Sequence, residues 1–201
     1  MRKTAIKVAE SLSLALNPFL LIPVVFLVAL FVTPFPSPVS QIRWLGVVLL
    51  CNFIVPFWWV YFLDQKGIIL DDTLAHKKLH RKRLMALWPI IVIIGAEVIT
   101  MTFAGTHQPL YAVLISGLAV TIVGGIISYY WKISAHMAGF STALTQIALL
   151  TGPWVLWGVI AIPFLVWARL VLHRHTPTQL FIGVVVPPLI IISIFRFFKL
   201  I

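Results

Sequence analysis

The chain has 201 residues, a mean hydropathy of +1.08, 61% hydrophobic residues and only 10% charged ones. A water-soluble domain of this size needs far more charge to cover its surface, so an all-α bundle of membrane-crossing helices is expected. The formal net charge of +10 fits cytoplasmic loops or contact with anionic headgroups of membrane lipids. Nucleic acid is not an expected partner, because no basic face is large enough and no base-stacking platform is apparent.

Apolar segments fall near 13–33, 43–63, 85–104, 109–129, 137–151, 154–172 and 178–198, which predicts six or seven spans in a single domain, 1–201. Arg2, Lys3 and Lys7 precede the first apolar run, but no small-residue cleavage site follows it, so the first span is expected to be retained. Thr33 to Pro38 (TPFPSP) reads as a loop, Gly105 to Pro109 as a tight turn, and Gly152-Pro153 as a break between the fifth and sixth segments. Trp44, Trp58, Trp88, Trp131, Trp154 and Trp167 mark segment ends, as in an interfacial aromatic belt. The fifth segment is short, reaching about 24 Å. Its first turn is expected below the headgroups, in a protein-lined recess. The single cysteine, Cys51, lies inside a span and says nothing about redox compartment. The sequence does not fix an oligomeric state.

Three polar segments follow the second, fourth and sixth spans: Asp64 to Arg83, Lys132 to His136, and Arg169 to Gln179. An even number of crossings separates them, so all three are expected at one end of the bundle. In the third segment Arg169 ends a span and His175 comes six residues later. Thr176-Pro177-Thr178-Gln179 reads as a helix start, with Thr at the N-cap, Pro at the first helical position and Gln at the third. A histidine there, beside an arginine, faces positive potential that attracts an anion and favours neutral imidazole, a nucleophile toward phosphorus. Arg169 offers bidentate phosphate recognition. The second segment repeats the layout, with Ser134 as N-cap and His136 in the first turn. It supplies a hydroxyl, backbone N–H groups and a general acid. In the first segment, one or two of the cations from Lys77 to Arg83 are expected to reach inward.

These blocks resemble the type 2 phosphatidic acid phosphatase superfamily, which also holds glucose-6-phosphatase-like enzymes and vanadium haloperoxidases. The family pattern is Lys-x6-Arg-Pro, Pro-Ser-Gly-His and Ser-Arg-x5-His-x3-Asp. Here the third block reads Ala168-Arg169, His175 and Gln179, and the second reads Ile133-Ser134-Ala135-His136. The first is degenerate: Arg83 is followed by Leu84, and Lys77 or Lys78 takes the place of the lysine. The resemblance implies that His175 attacks phosphorus to form a phosphohistidine and that His136 protonates the leaving alcohol. Arg169, Arg83, Ser134 and Lys77 or Lys78, with Lys132 nearby, would hold the phosphoryl oxygens. It implies no metal and no other cofactor, and a lipid phosphate monoester or diphosphate as substrate. Relatives in bacteria suggest an inner-membrane location, with the side of the site left open.

The chain departs from the pattern at Gln179, where the family has an aspartate that stabilises the charged histidine. An amide oxygen still accepts a hydrogen bond but carries no charge, and the same residue also serves a helix cap. Two alternatives therefore stand beside the phosphatase. One is a lipid-phosphate binding or transport protein on a weakened scaffold. The other is a magnesium-dependent prenyltransferase using Asp71-Asp72. Glu97, an acid inside the third span, is a functional candidate by its position alone.

Overall fold

The computed structural model describes the backbone of residues 2–66 and 79–201 and the side chains of residues 3–66 and 87–201. The regular elements among them are all helical, as expected. Helix α1 (Arg2–Ala15) is separated from α2 (Pro18–Val32) at Leu16-Asn17. Asn17 forces the restart: its Oδ1 accepts from the Phe19 N–H at 3.0 Å, and Pro18 takes the first helical position. The expected segment 13–33 is therefore divided between two helices.

Helix α3 (Pro38–Leu49) runs through a π-helical turn (Leu50–Ile54) into α4 (Val55–Gln65). Pro56 has no N–H to offer the Asn52 carbonyl, and the ladder slips, with the Val55 N–H reaching back five residues to Leu50 O. Helices α5 (Leu79–Ala104) and α6 (Leu110–Tyr130) flank the expected turn at 105–109. Helix α7 (Ala135–Thr151) ends at Gly152, whose φ of 109° suits glycine and turns the chain into a 3₁₀ helix (Pro153–Ile160) and then α8 (Ala161–Val171). Helix α9 (Pro177–Phe197) closes the bundle.

Among the described residues, six stretches are long and apolar enough to cross a membrane: Lys3–Val32, Pro38–Gln65, Leu87–Ala104, Leu110–Tyr130, Pro153–Val171 and Pro177–Phe197. Helix α7, with 17 residues, is the seventh and reaches about 25 Å, short of a hydrocarbon core of about 30 Å. Large apolar side chains point outward all around the bundle, among them Phe31, Phe103, Trp157, Phe181 and Phe197. In water such a surface would aggregate; a bilayer is the solvent that suits it, and the chain is built as an integral membrane protein.

Two apolar cores lie inside among the described residues. The larger gathers Phe26 and Leu30 of α2, Trp44 and Val48 of α3, Met101 of α5, Leu110 and Leu114 of α6, and Phe195 of α9. The smaller joins Met137 and Phe140 of α7 with Leu165 of α8 and Leu180 of α9. This second core underpins the candidate site, because it locks together the three helices whose ends carry it.

Because lipid tails are as apolar as the helices, close packing and polar bonds between helices matter more here than apolar burial. Pro188, inside α9, cannot donate to the Val184 carbonyl one turn earlier; the Ser141 hydroxyl of α7 donates to it instead, at 2.6 Å. Gln146 of α7 donates to Val113 O at 3.2 Å and to the Ser116 hydroxyl at 2.9 Å on α6. At Gly183 of α9 the approach to α7 is closest. An added Cβ would stand 2.9 Å from Met137 Cβ and 3.0 Å from Ser134 O, so only glycine fits.

Candidate functional site

The beginnings of α7 and α9 lie side by side and are joined directly, the Ser134 N–H donating to Gln179 O at 3.4 Å. Ser134 caps α7: its Oγ accepts from the Met137 N–H at 3.4 Å. Thr176 caps α9 in a reciprocal capping box with Gln179, Pro177 filling the first helical position. Both helix starts are those expected from the sequence. Their first-turn N–H groups share one end of the bundle and give it positive potential.

The box fixes more than a helix end. Gln179 Oε1 accepts from the Thr176 N–H at 3.2 Å and lies 3.3 Å from His175 Nδ1. A backbone N–H can only donate, so the atom facing it is the amide oxygen and not its nitrogen. The imidazole nitrogen facing that same oxygen must then carry the hydrogen. Neutral His175 is held with Nδ1 protonated, and its lone pair is on Nε2. Gln179 thus caps the helix and orients the imidazole at once; the two readings are one arrangement.

The loop that carries His175 is built equally firmly. Helix α8 ends in a Schellman turn: the Arg174 N–H reaches Arg169 O at 3.1 Å, and the His173 N–H reaches Leu170 O at 3.0 Å. The residue between helix and loop must take a left-handed conformation, and His173 does so, with φ 51°. Glycine is the usual occupant, which is why the turn is invisible in the sequence. Lys132, in the α6–α7 connection, donates through Nζ to Arg174 O at 2.9 Å. That bond ties the α8–α9 loop to the start of α7. Sequence reasoning gave Lys132 to the phosphate; the structure gives it at least one structural bond, and an ammonium has three donors.

Five of the expected site residues are buried: Lys132, Ser134, Arg169, His175 and Gln179. Arg169 sits in the last turn of α8, where a cation complements the helix dipole, and is only 4% exposed. Two buried cations share this end with two helix N-termini, an arrangement that favours an anion. His136 is half-buried in the first turn of α7.

Lys77, Lys78, Asp71 and Asp72 lie outside the described residues, and Arg83 has only its backbone described, within α5. Glu97 is buried in α5, with its Oε2 accepting from Asn52 Nδ2 at 2.6 Å. It stands ten residues, or about 15 Å, along α5 from Leu87. Its partner is Asn52 of the π turn, and no contact with His175 is found among the described residues.

Comparison with protein-family models, with curated proteins and with solved structures finds no match for this chain.

Proposed function

We propose that the chain is an integral-membrane lipid phosphate phosphatase that works without metal through a phosphohistidine, in the manner of the type 2 phosphatidic acid phosphatases. The observation that carries this reading is the His175–Gln179–Thr176 arrangement, which orients the imidazole through Nδ1 at paired helix N-termini, with Arg169 buried at the same end of the bundle.

In the proposed reaction His175 Nε2 attacks phosphorus and the bond to the lipid oxygen breaks. His136 gives its proton to the departing alkoxide. Water then attacks the phosphohistidine, with His136 taking the water's proton, and orthophosphate leaves. Arg169, Ser134 and Lys132, with Arg83 and Lys77 or Lys78 from the first polar segment, hold the phosphoryl oxygens as charge builds on them. Gln179 accepts from Nδ1–H but brings no negative charge to the imidazolium that forms. A neutral acceptor in place of a charged one costs about 1–2 kcal/mol, so turnover is about tenfold or more below that of an aspartate-bearing site. A bacterial inner membrane is the proposed location, and impermeant labelling of single-cysteine variants would give the side.

The neutrality of Gln179 also favours a second reading, a protein that binds lipid phosphates without hydrolysing them. A phosphate-release assay across phosphatidate, phosphatidylglycerophosphate and polyprenyl diphosphates separates the two. Release that persists in EDTA, falls with vanadate and disappears in His175→Ala supports the phosphatase. Binding with no release supports the second reading, and release undiminished in His175→Ala rules out the mechanism.

A further inference from the structure

An elongated cavity of about 270 Å³ runs inside the bundle between α2, the π turn and α4, α5, α6 and α7. Its wall on α6 is a continuous stripe from Val113 to Ser128, sixteen residues or about 22 Å long, with Gly117 and Gly124 along it. Facing it, α7 contributes Ala135, Ala138, Gly139 and Thr142. Small residues usually bring membrane helices into contact. Here they leave a bore: a Cβ added at Gly117 or Gly124 would meet nothing within 4 Å.

The bore has a direction. At one end it is lined by exposed Ala135, which lies between Ser134 and His136 in the first turn of α7. At the other end Val113, Leu114 and Gln146 are all buried and close it. The mouth is therefore at the end of α7 that carries the candidate phosphate site, and the blind end lies deep among the spans. Helix α7 separates the bore on one side from α9 on the other. Midway, about 12 Å along α7 from Ser134, Thr142 turns a hydroxyl into the bore. That residue is 6% exposed, and its Oγ1 has no hydrogen-bond partner among the described residues. Across from it the π turn places Asn52, whose Oδ1 is likewise without a partner there. An interior built with unmatched polar atoms around a narrow bore is built for an occupant.

We propose that this bore seats one hydrocarbon chain, so that the substrate is a single-chain lipid phosphate or diphosphate and not a two-chain phospholipid. The proposal rests on the phosphatase reading for its headgroup and on the cavity alone for its chain. A volume of this size that follows α6 for about 22 Å and α7 for about 16 Å is elongated, and below the range of about 300–1,000 Å³ usual for compact ligand pockets. One chain can follow it with its phosphate at the start of α7; two chains side by side cannot. A chain with double bonds or an oxygen at mid-depth would also give the Thr142 hydroxyl something to face.

The test uses the full chain in detergent and a single-chain alkenyl phosphate bearing a diazirine at its far end. Illumination is expected to label Val113, Leu114 or Gln146. Excess unlabelled single-chain phosphate should suppress the label, and a two-chain phosphatidate should not. Gly117→Leu, whose Cβ has open space and whose longer side chain would occupy the bore, is expected to lower labelling about tenfold, and Gly124→Leu, two turns nearer the mouth, should do the same. Labelling confined to lipid-facing positions such as Phe103 or Leu189, or equal competition by phosphatidate, overturns the proposal. Labelling needs no hydrolysis, so the two readings fail separately. A labelled bore without phosphate release upholds the chain site and sinks the phosphatase. Release with label only on the outer surface upholds the phosphatase and sinks the chain site.

Discussion

At the end of the bundle where α7 and α9 begin, polar groups are cross-linked into a framework. Gln179 Oε1 serves Thr176 and His175, Lys132 holds the Arg174 carbonyl, and Ser134 joins both helices. Further along the bundle, Glu97 of α5 is also buried, but a single 2.6 Å bond joins it to half-buried Asn52 of the π turn. Asn52 Oδ1 and Glu97 Oε1 are without partners among the described residues. Burial of an acid in a span marks a residue for attention. It does not by itself make a reaction centre, for which several groups must be held in mutual register. The first region has that register and the second lacks it. The account therefore assigns chemistry to His175 and not to Glu97.

Substitutions can break or sharpen this contrast. The largest effect among them is expected from Gly183→Val, which drives a side chain into Met137 and the Ser134 carbonyl and so parts the two helix starts. Displacement of about 1 Å between catalytic groups is enough to lower phosphate release about 100-fold. Stability should fall by about 1–3 kcal/mol, read as the thermal midpoint in detergent. Normal release in that variant would mean that the register is unimportant.

Gln179→Glu comes next. It preserves the length of the side chain and its two acceptor contacts and restores a negative charge beside His175. Turnover is expected to rise about tenfold. A fall would show that the site is tuned to a neutral partner. His173→Gly relaxes a left-handed residue and should stabilise the protein by about 1 kcal/mol with phosphate release unchanged. Loss of release there would give His173 a role beyond the turn. Glu97→Gln retains an acceptor for Asn52, and is expected to leave turnover unchanged and stability within about 1 kcal/mol. A collapse of turnover would instead give Glu97 a part in the reaction.

Much of this was legible in the sequence. Hydropathy gave the spans, and Ser134, Thr176 and Pro177 gave two helix starts, because a cap is a local contract between neighbouring residues. The even count of crossings brought Lys132 to His136 and Arg169 to Gln179 to one end. What stayed hidden either carried no local signal or depends on neighbours distant in sequence. His173 concealed a Schellman turn, since glycine is the signal that announces one. Nothing near Lys132 pointed to the Arg174 carbonyl forty-two residues away. The close approach at Gly183 and the openness at Gly117 and Gly124 read alike in sequence, although one glycine permits contact and the others border empty space. The division at Leu16-Asn17 was missed because the apolar run continues through it, and the cap that causes it is a single side chain.

The central claim is that His175 becomes covalently phosphorylated through Nε2. Rapid quenching of the protein with a lipid substrate labelled in its phosphate, followed by peptide mapping, tests it most directly. The account predicts an acid-labile, alkali-stable phosphate on the peptide containing His175, absent in His175→Ala. Steady phosphate release with no label on that peptide, undiminished in His175→Ala, would contradict it.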